Sequence, residues 1–234
     1  MSWTDHGAVN TIKGLAREFK VETYIETGTF RGQGIQIAAR YFKHAYSCEI
    51  IEDFYTDVVL RTINKHNIKI FHMDSSKFLK YISTTLNEPL IYYLDAHFYD
   101  PSLPKELRFV VKQELASMAP SNNCIIIIHD FDTRNGLGHI TYDGIPLDFE
   151  IVRDNLLKIN PRFSFYTNYK EACDIVTEKD FIDGKMDPLL LDDEMRDTLK
   201  FIWSAPQKTY RGLLYCIPRD VNASKYHLRK VNWR

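Results

Sequence analysis

A chain of 234 residues and 27.5 kDa can bury one sizeable core but not two ordinary domains with a linker between them, so a single domain over residues 1–234 is expected. Its 30 Lys and Arg against 31 Asp and Glu leave a net charge of -1, which excludes a global field drawing it to phosphate backbones or anionic membranes and leaves nucleic acid unsupported as a partner. The opening residues lack the basic and apolar regions of a secretory signal, no apolar run approaches the roughly 20 residues that span a bilayer, and Cys48, Cys124, Cys173 and Cys216 show no CxxC spacing; a cytoplasmic, reducing location is the expectation.

In chain order, helical periodicity over 8–19 precedes a short apolar run at 24–26. A helix over 33–42 then leads to a run at 45–50, a helix over 52–65 to Ile68–His72, and a helix over 75–86 to Leu90–Leu94. A helix over 105–118 precedes Cys124–Ile128, and a helix over 148–158 precedes runs at 163–166 and 212–217. Alternation of this kind predicts βα units and a largely parallel sheet. Ile125, Ile126, Ile127 and Ile128 form an unbroken β-branched run that requires burial on both faces, as a central parallel strand provides. Asp53, Ser75 and Asp148 suit helix starts, whereas Pro89, Pro104, Pro120 and Pro161 mark ends. Residues 168–208 are charged, carry turn signals at Asp183-Gly184 and Asp187-Pro188, and read as a lid or insertion before the last strand. The basic, aromatic stretch 225–234 reads as a solvated tail.

Chemistry enters at Glu26-Thr27-Gly28-Thr29-Phe30-Arg31-Gly32-Gln33-Gly34, where a strand breaks into a glycine-rich turn that opens a helix. Such a turn lets backbone approach a ligand closely, and the helix start offers unpaired N–H groups; a tight βα turn without ligand is the plainer alternative. Glu49, at the end of the next strand, stands where a carboxylate can accept both hydroxyls of a ribose. Together they point to an adenosine-containing cofactor. Phe30 occupies the place of the second glycine of a dinucleotide turn, which disfavours a pyrophosphate.

The pattern Glu26-x-Gly28-x-x-x-Gly32, followed by Glu49 and by His72-Met73-Asp74-Ser75, resembles the motifs of class I S-adenosylmethionine-dependent methyltransferases over about residues 20–130. The resemblance implies a Rossmann-like αβα sandwich, an α/β fold with a mostly parallel seven-stranded sheet whose final strand, at 212–217, is antiparallel. It implies that Glu26, Thr27, Gly28, Thr29 and Gly32 contact the methionine part of S-adenosyl-L-methionine, Glu49 its ribose, and Asp74 with Ser75 its adenine. Asp74 also suits a helix N-cap, and both roles can hold.

Strand four ends in Tyr92-Tyr93-Leu94-Asp95-Ala96-His97-Phe98-Tyr99-Asp100 and strand five in Ile128-His129-Asp130-Phe131-Asp132, adjacent at the rim where α/β sheets bind ligands. Asp95, His129 and Asp130 suit a divalent ion such as Mg2+ or Mn2+, the histidine shifting preference toward transition metals. Metal-dependent O-methyltransferases are similar here, except that His129 replaces their acid. By that resemblance Asp95 serves catalysis or holds the cofactor's amino group, and His97, two residues on, is a candidate general base. Both histidines could instead satisfy buried strand ends. Tyr92, Tyr93, Phe98, Tyr99, Phe131 and Tyr142 suit a wall for a sugar or aromatic acceptor, or simply core packing, and 133–146 reads as a mobile substrate-side loop. The expected activity is O-methylation of a small molecule or sugar. Two other readings compete. Asp130-x-Asp132 after an apolar strand suits a nucleotide-sugar glycosyltransferase, which leaves Glu49 unexplained, and a non-catalytic binding domain is the third.

Overall fold

A computed structural model describes residues 6–97, 102, 108–168 and 211–232. The elements are α1 (His6–Phe19), β1 (Thr23–Thr27), α2 (Gln33–Ala38), β2 (His44–Glu49), α3 (Glu52–Thr62), β3 (Ile68–His72), α4 (Ser75–Thr85), β4 (Leu90–Leu94), α5 (Val110–Ser117), β5 (Cys124–Ile128), β6 (Thr141–Tyr142), β7 (Ile145–Pro146), α6 (Phe149–Ile159), β8 (Ser164–Asn168), β9 (Leu214–Ile217) and β10 (Leu228–Lys230). The main sheet runs β10-β8-β9-β5-β4-β1-β2-β3. Strands β1 to β5 pair in parallel, β9 runs antiparallel to both β5 and β8, and β10 is antiparallel to β8.

The period of two along each strand sorts side chains onto the two faces of this sheet. Tyr24, Ile91, Tyr93, Ile125, Ile127 and Tyr215 lie on one face with Ile12 and Leu15 of α1 and Ile35 of α2. Ile25, Tyr92, Leu94, Ile126, Ile128 and Leu214 lie on the other with Phe78 of α4, Leu115 of α5 and Val152 of α6. Helices therefore cover both faces, and the expected three-layer α/β architecture is the one found. All four isoleucines of β5 are fully buried, each a contribution of about 1.5–3 kcal/mol, and β5 lies between β4 and β9 as its composition requires.

Several expectations need correction. The sheet has eight strands, because 225–234 is not a solvated tail as far as it is described: a 3-10 turn at Ala223–Tyr226 precedes β10. Leu228 is buried there, Tyr226 donates to Glu18 of α1, and Arg229 donates to the Thr133 carbonyl at 3.1 Å. Helix α2 ends at Ala38 rather than 42, in a turn with Tyr41 N–H on the Ala38 carbonyl, and α3 ends at Thr62 rather than 65. The loop 133–146 holds the β6–β7 hairpin, with Asp143 and Gly144 both at positive φ, the geometry by which a two-residue turn matches strand twist. Asn168 closes β8, and residues 169–208 of the expected lid lie outside the described residues, as do 105–107 of the expected fifth helix and Cys173. Cys48, Cys124 and Cys216 are buried free thiols. Among the described residues, no helix is long and apolar enough to cross a membrane.

Candidate functional site

Strand order reverses between β1 and β4: from β1 the chain steps outward to β2 and β3, then returns to β4 and β5. The chain leaves β1 for α2 on one face of the sheet and β4 for α5 on the other, and such a switch point is the usual ligand position in an open α/β sheet. The glycine turn after β1 lies on one side of it. Gly28 has φ 78°, and a Cβ there would stand 2.9 Å from both the Ala96 Cα and the Asp95 carbonyl, so only glycine lets the two loops approach so closely. Gly28 and Thr29 both donate their N–H to the Cys48 carbonyl at 3.1 Å, and the Thr29 and Ser47 hydroxyls share a 2.6 Å hydrogen bond, which fixes the turn to β2. Gly32, also left-handed at φ 76°, is the N-cap of α2. Glu26 is buried in β1, paired in register with Ser47 and Tyr93.

Glu49 is likewise buried. Its Oε2 accepts the Phe30 N–H at 2.8 Å, and its Oε1 accepts those of Ile50 and Ile51 at 3.0 Å each. This carboxylate thus ties the glycine turn to the β2–α3 loop while Phe30 is held at φ 48°, a conformation rarely adopted by a bulky residue. Phe30 and Ile50 remain exposed beside it, with Phe54 edge-on to Phe30. Asp74 is the N-cap of α4, its Oδ1 accepting from the Ser76 and Lys77 N–H groups, and Ser75 is buried at the helix start. The cap alternative for Asp74 is therefore realised.

At the ends of β4 and β5, Asp95, His97, His129 and Asp130 converge, with one candidate ligand atom from each lying within 4.8 Å of all the others. His129 Nδ1 stands 2.9 Å from Asp95 Oδ1 and 3.4 Å from Asp130 Oδ1; His97 Nε2 is 3.6 Å from both Asp95 Oδ1 and Asp130 Oδ2. The backbone enforces this meeting. The His129 N–H donates to the Leu94 carbonyl, His97 N–H turns back onto the Asp95 carbonyl, and Asp130 adopts φ 58°, which aims a carboxylate that an extended strand would point elsewhere. Burial alone would raise Asp95, yet His129, first through its charge and then its hydrogen bond, and His97 hold it below the usual carboxylate range. Asp130 is lowered against burial in the same way, by His129, His97 and Arg211, whose Nε lies 3.1 Å from its Oδ1. Burial lowers His97, outweighing the attraction of both carboxylates, so its neutral imidazole is favoured near neutral pH.

Glu26, Thr27, Gly28, Thr29, Gly32, Glu49, Asp74, Ser75, Asp95, His97, His129 and Asp130 thus lie at the edge formed by β1, β2, β4, β5 and the starts of α2 and α4. Asp132 does not join the cluster: its Oδ1 accepts the Arg134 N–H at 2.9 Å and closes its own turn. Tyr92, Tyr93, Phe131 and Tyr142 are core, not an acceptor wall, while Phe98 and Tyr99 lie outside the described residues. Two residues that sequence reasoning missed are Arg211, just before β9, and Glu114 of α5; neither stands in a recognisable motif, since each is brought to the edge only by tertiary packing.

No family model matches the sequence, and no curated protein sequence matches it. Solved structures do. The plantazolicin methyltransferase BamL, crystallised with a triazolic desmethylPZN analog and S-adenosylhomocysteine, superposes with a TM-score of 0.53 at 14% identity over 92% of this chain and 85% of its own. A Klebsiella pneumoniae protein described as an O-methyltransferase gives 0.51 at 11% identity, covering 91% and 80%. The methyltransferase domain of bacterial CtHen1 gives 0.50 at 9% identity, covering 92% and 100%. At such identities the likeness is one of fold, a three-layer α/β fold that these methyltransferases share.

Proposed function

We propose that this protein is an S-adenosyl-L-methionine-dependent methyltransferase that transfers the methyl group to an oxygen of a small-molecule or sugar acceptor. The observation that carries the reading is the switch point between β1 and β4, where a glycine turn and the buried Glu49 carboxylate stand beside a His/Asp cluster. On this reading Glu26, Thr27, Gly28, Thr29 and Gly32 face the methionine part of the donor. Glu49 uses the lone pairs left over from its three backbone bonds to accept the ribose hydroxyls. Asp74 and Ser75 border the adenine, and Asp95 stands where donor and acceptor sides meet.

His97 then takes the acceptor's proton as its oxygen attacks the methyl carbon; the C–O bond forms, the sulfonium C–S bond breaks, and S-adenosylhomocysteine leaves. A neutral imidazole near neutral pH suits this role. The donor set fits a divalent ion, since Asp95, His129 and Asp130 offer two carboxylates and an imidazole at close range, with Mn2+ favoured over Mg2+ by the imidazole. A bound ion would lower the pKa of the acceptor hydroxyl and orient it. Arg211 partly neutralises Asp130 and borders the acceptor side.

Isothermal titration with S-adenosylmethionine and S-adenosylhomocysteine, alongside UDP- and GDP-sugars with Mn2+, each with and without EDTA, tests the reading. Binding of the sulfonium ligand and its product, and not of nucleotide sugars, is the expected result. Binding of a nucleotide sugar alone, lost with EDTA, would overturn it in favour of a glycosyltransferase.

A further inference from the structure

The cluster at the ends of β4 and β5 already faces a cation of the protein's own. Arg211 Nε lies 3.1 Å from Asp130 Oδ1, the same oxygen that His129 Nδ1 approaches to 3.4 Å. Arg211 Nη1 donates to the His139 carbonyl at 3.4 Å, so an ion pair and a hydrogen bond together hold the guanidinium at the rim. The backbone that carries it is fixed as firmly. Gly212 donates to the Gly138 carbonyl at 2.8 Å and accepts the Phe131 N–H at 2.9 Å. Asn168 Nδ2 donates to the Arg211 carbonyl at 3.0 Å, while Asn168 Oδ1 accepts the Leu213 N–H at 2.8 Å. A Cβ at position 212 would stand 2.0 Å from the Phe131 carbonyl oxygen, so only glycine lets this segment run so close to the chain leaving β5. The approach to β9 and the exit from β5 are thereby locked together, and the Arg211–Asp130 pair lies across that junction.

An ion bound by the cluster and this guanidinium draw on the same carboxylate. Asp95, His97, His129 and Asp130 present one atom each within 4.8 Å of all the others, a donor set with the composition of a divalent-ion site. An ion that takes Asp130 as a ligand meets a fixed positive charge beside it: the guanidinium either shares the carboxylate, with repulsion between two cations, or gives it up. Arg211 cannot relieve the conflict by losing its charge, because a guanidinium stays protonated in proteins. Ion binding and the Arg211–Asp130 pair therefore oppose each other.

We propose that Arg211 is an internal cation that competes with a divalent ion for Asp130, a specificity-determining residue that sets how tightly the rim cluster takes its metal; this rests on the ion-binding part of the methyltransferase reading. In the ion-free protein the guanidinium offsets the repulsion between Asp95 and Asp130 and holds Asp130 at its left-handed backbone position. In the ion-bound protein the same charge opposes the ligand. Because that repulsion acts alike on all ions of charge two, it weakens Mg2+ and Mn2+ together, and the imidazoles, which favour the transition metal, decide which ion still binds.

The test is titration of the full chain with Mn2+, read from the electron paramagnetic resonance of the free ion, for the wild type, Arg211→Gln and Arg211→Lys at low and physiological ionic strength. Arg211→Gln should bind Mn2+ about tenfold more tightly than the wild type, the order expected for a charge 42% exposed to solvent beside the ion, and the gain should shrink as salt rises. Arg211→Lys, which keeps the charge, should stay close to the wild type. Stability must close the same cycle: Arg211→Gln should melt below the wild type without Mn2+, and the gap should narrow or reverse in saturating Mn2+. A purely structural role predicts the opposite sign, since a loosened Asp130 binds the ion less well. Unchanged or weaker Mn2+ binding by Arg211→Gln would overturn the proposal, as would a variant that folds neither with nor without Mn2+. If the wild type and Arg211→Gln both fail to bind Mn2+, the ion-binding reading falls with it, and titration of the same samples with S-adenosylmethionine reports separately on the donor site.

Discussion

Three side chains separate binding from chemistry at the scale of single residues. Glu49→Ala removes the carboxylate proposed to accept the ribose hydroxyls, and charge-assisted bonds of this kind are worth about 1.5–3 kcal/mol each. Titration should therefore show donor affinity reduced at least tenfold, and unchanged affinity would remove the ribose assignment. Asp95→Ala should retain donor binding yet abolish turnover, because it takes away the carboxylate that both histidines face. His97→Gln should lower kcat by about 10²–10⁴. Its pH profile carries the sharper information. His97 is lowered from its ordinary value near 6.5, so wild-type activity should hold at neutral pH and fall only below pH 6.5, a limb that His97→Gln should lose. The residues of the glycine turn and of the two strand ends were legible in the sequence because each sits a fixed step from a glycine or an apolar run. The hydrogen bonds that already engage Glu49 and Asp74 were not, since sequence shows where a carboxylate stands but not which N–H groups fold toward it. Glu114 and Arg211 were invisible for the same reason.

Elements were legible in proportion to how much of their pattern is local. The four isoleucines of β5 specify a central strand by themselves, and the parallel order of β1 to β5 follows from their alternation with helices. Asp148 was a readable helix start, and it does accept the Glu150 N–H at 3.1 Å. Asp148→Ala should cost about 1 kcal/mol in a denaturant titration, with its 3.6 Å contact to exposed Arg134 adding little. The β6–β7 hairpin had a local signal in Asp143-Gly144 that the surrounding glycines and His139 obscured. No such signal marks β10, whose three residues Leu228, Arg229 and Lys230 become a strand only because β8 offers an edge and α1 offers Glu18 to Tyr226. Leu228 is its one buried apolar side chain. Leu228→Ala should accordingly destabilise by about 2–5 kcal/mol, read as a lower denaturation midpoint. A polar substitution at exposed Lys230 should leave stability within about 0.5 kcal/mol.

For the molecule as a whole, the buried groups at one sheet edge bind folding to pH with opposing signs. Asp95 and Asp130 are lowered in the folded state, so they stabilise above the unfolded carboxylate value near 4, and that stabilisation is lost as pH falls below it. His97 is lowered too: its folded state binds fewer protons than the unfolded chain, so its contribution is complete above about 6.5 and is lost as pH falls through that value. Glu114 runs the other way. Raised from 4.5 to about 7, it binds its proton more tightly in the folded chain, so folding is favoured at low pH and the advantage disappears as pH rises from 4.5 through 7. Between pH 5 and 7 the His97 and Glu114 contributions oppose each other, and the wild-type melting temperature should vary little there. Glu114→Gln separates them. Both proteins hold a neutral group at position 114 at pH 4.5 and should melt together, whereas at pH 8 only the wild type must bury a carboxylate, so the variant should melt higher. A gap in melting temperature that opens between pH 5 and 8 would locate the titration at Glu114; a gap constant with pH would mean that the folded chain does not hold this carboxyl proton.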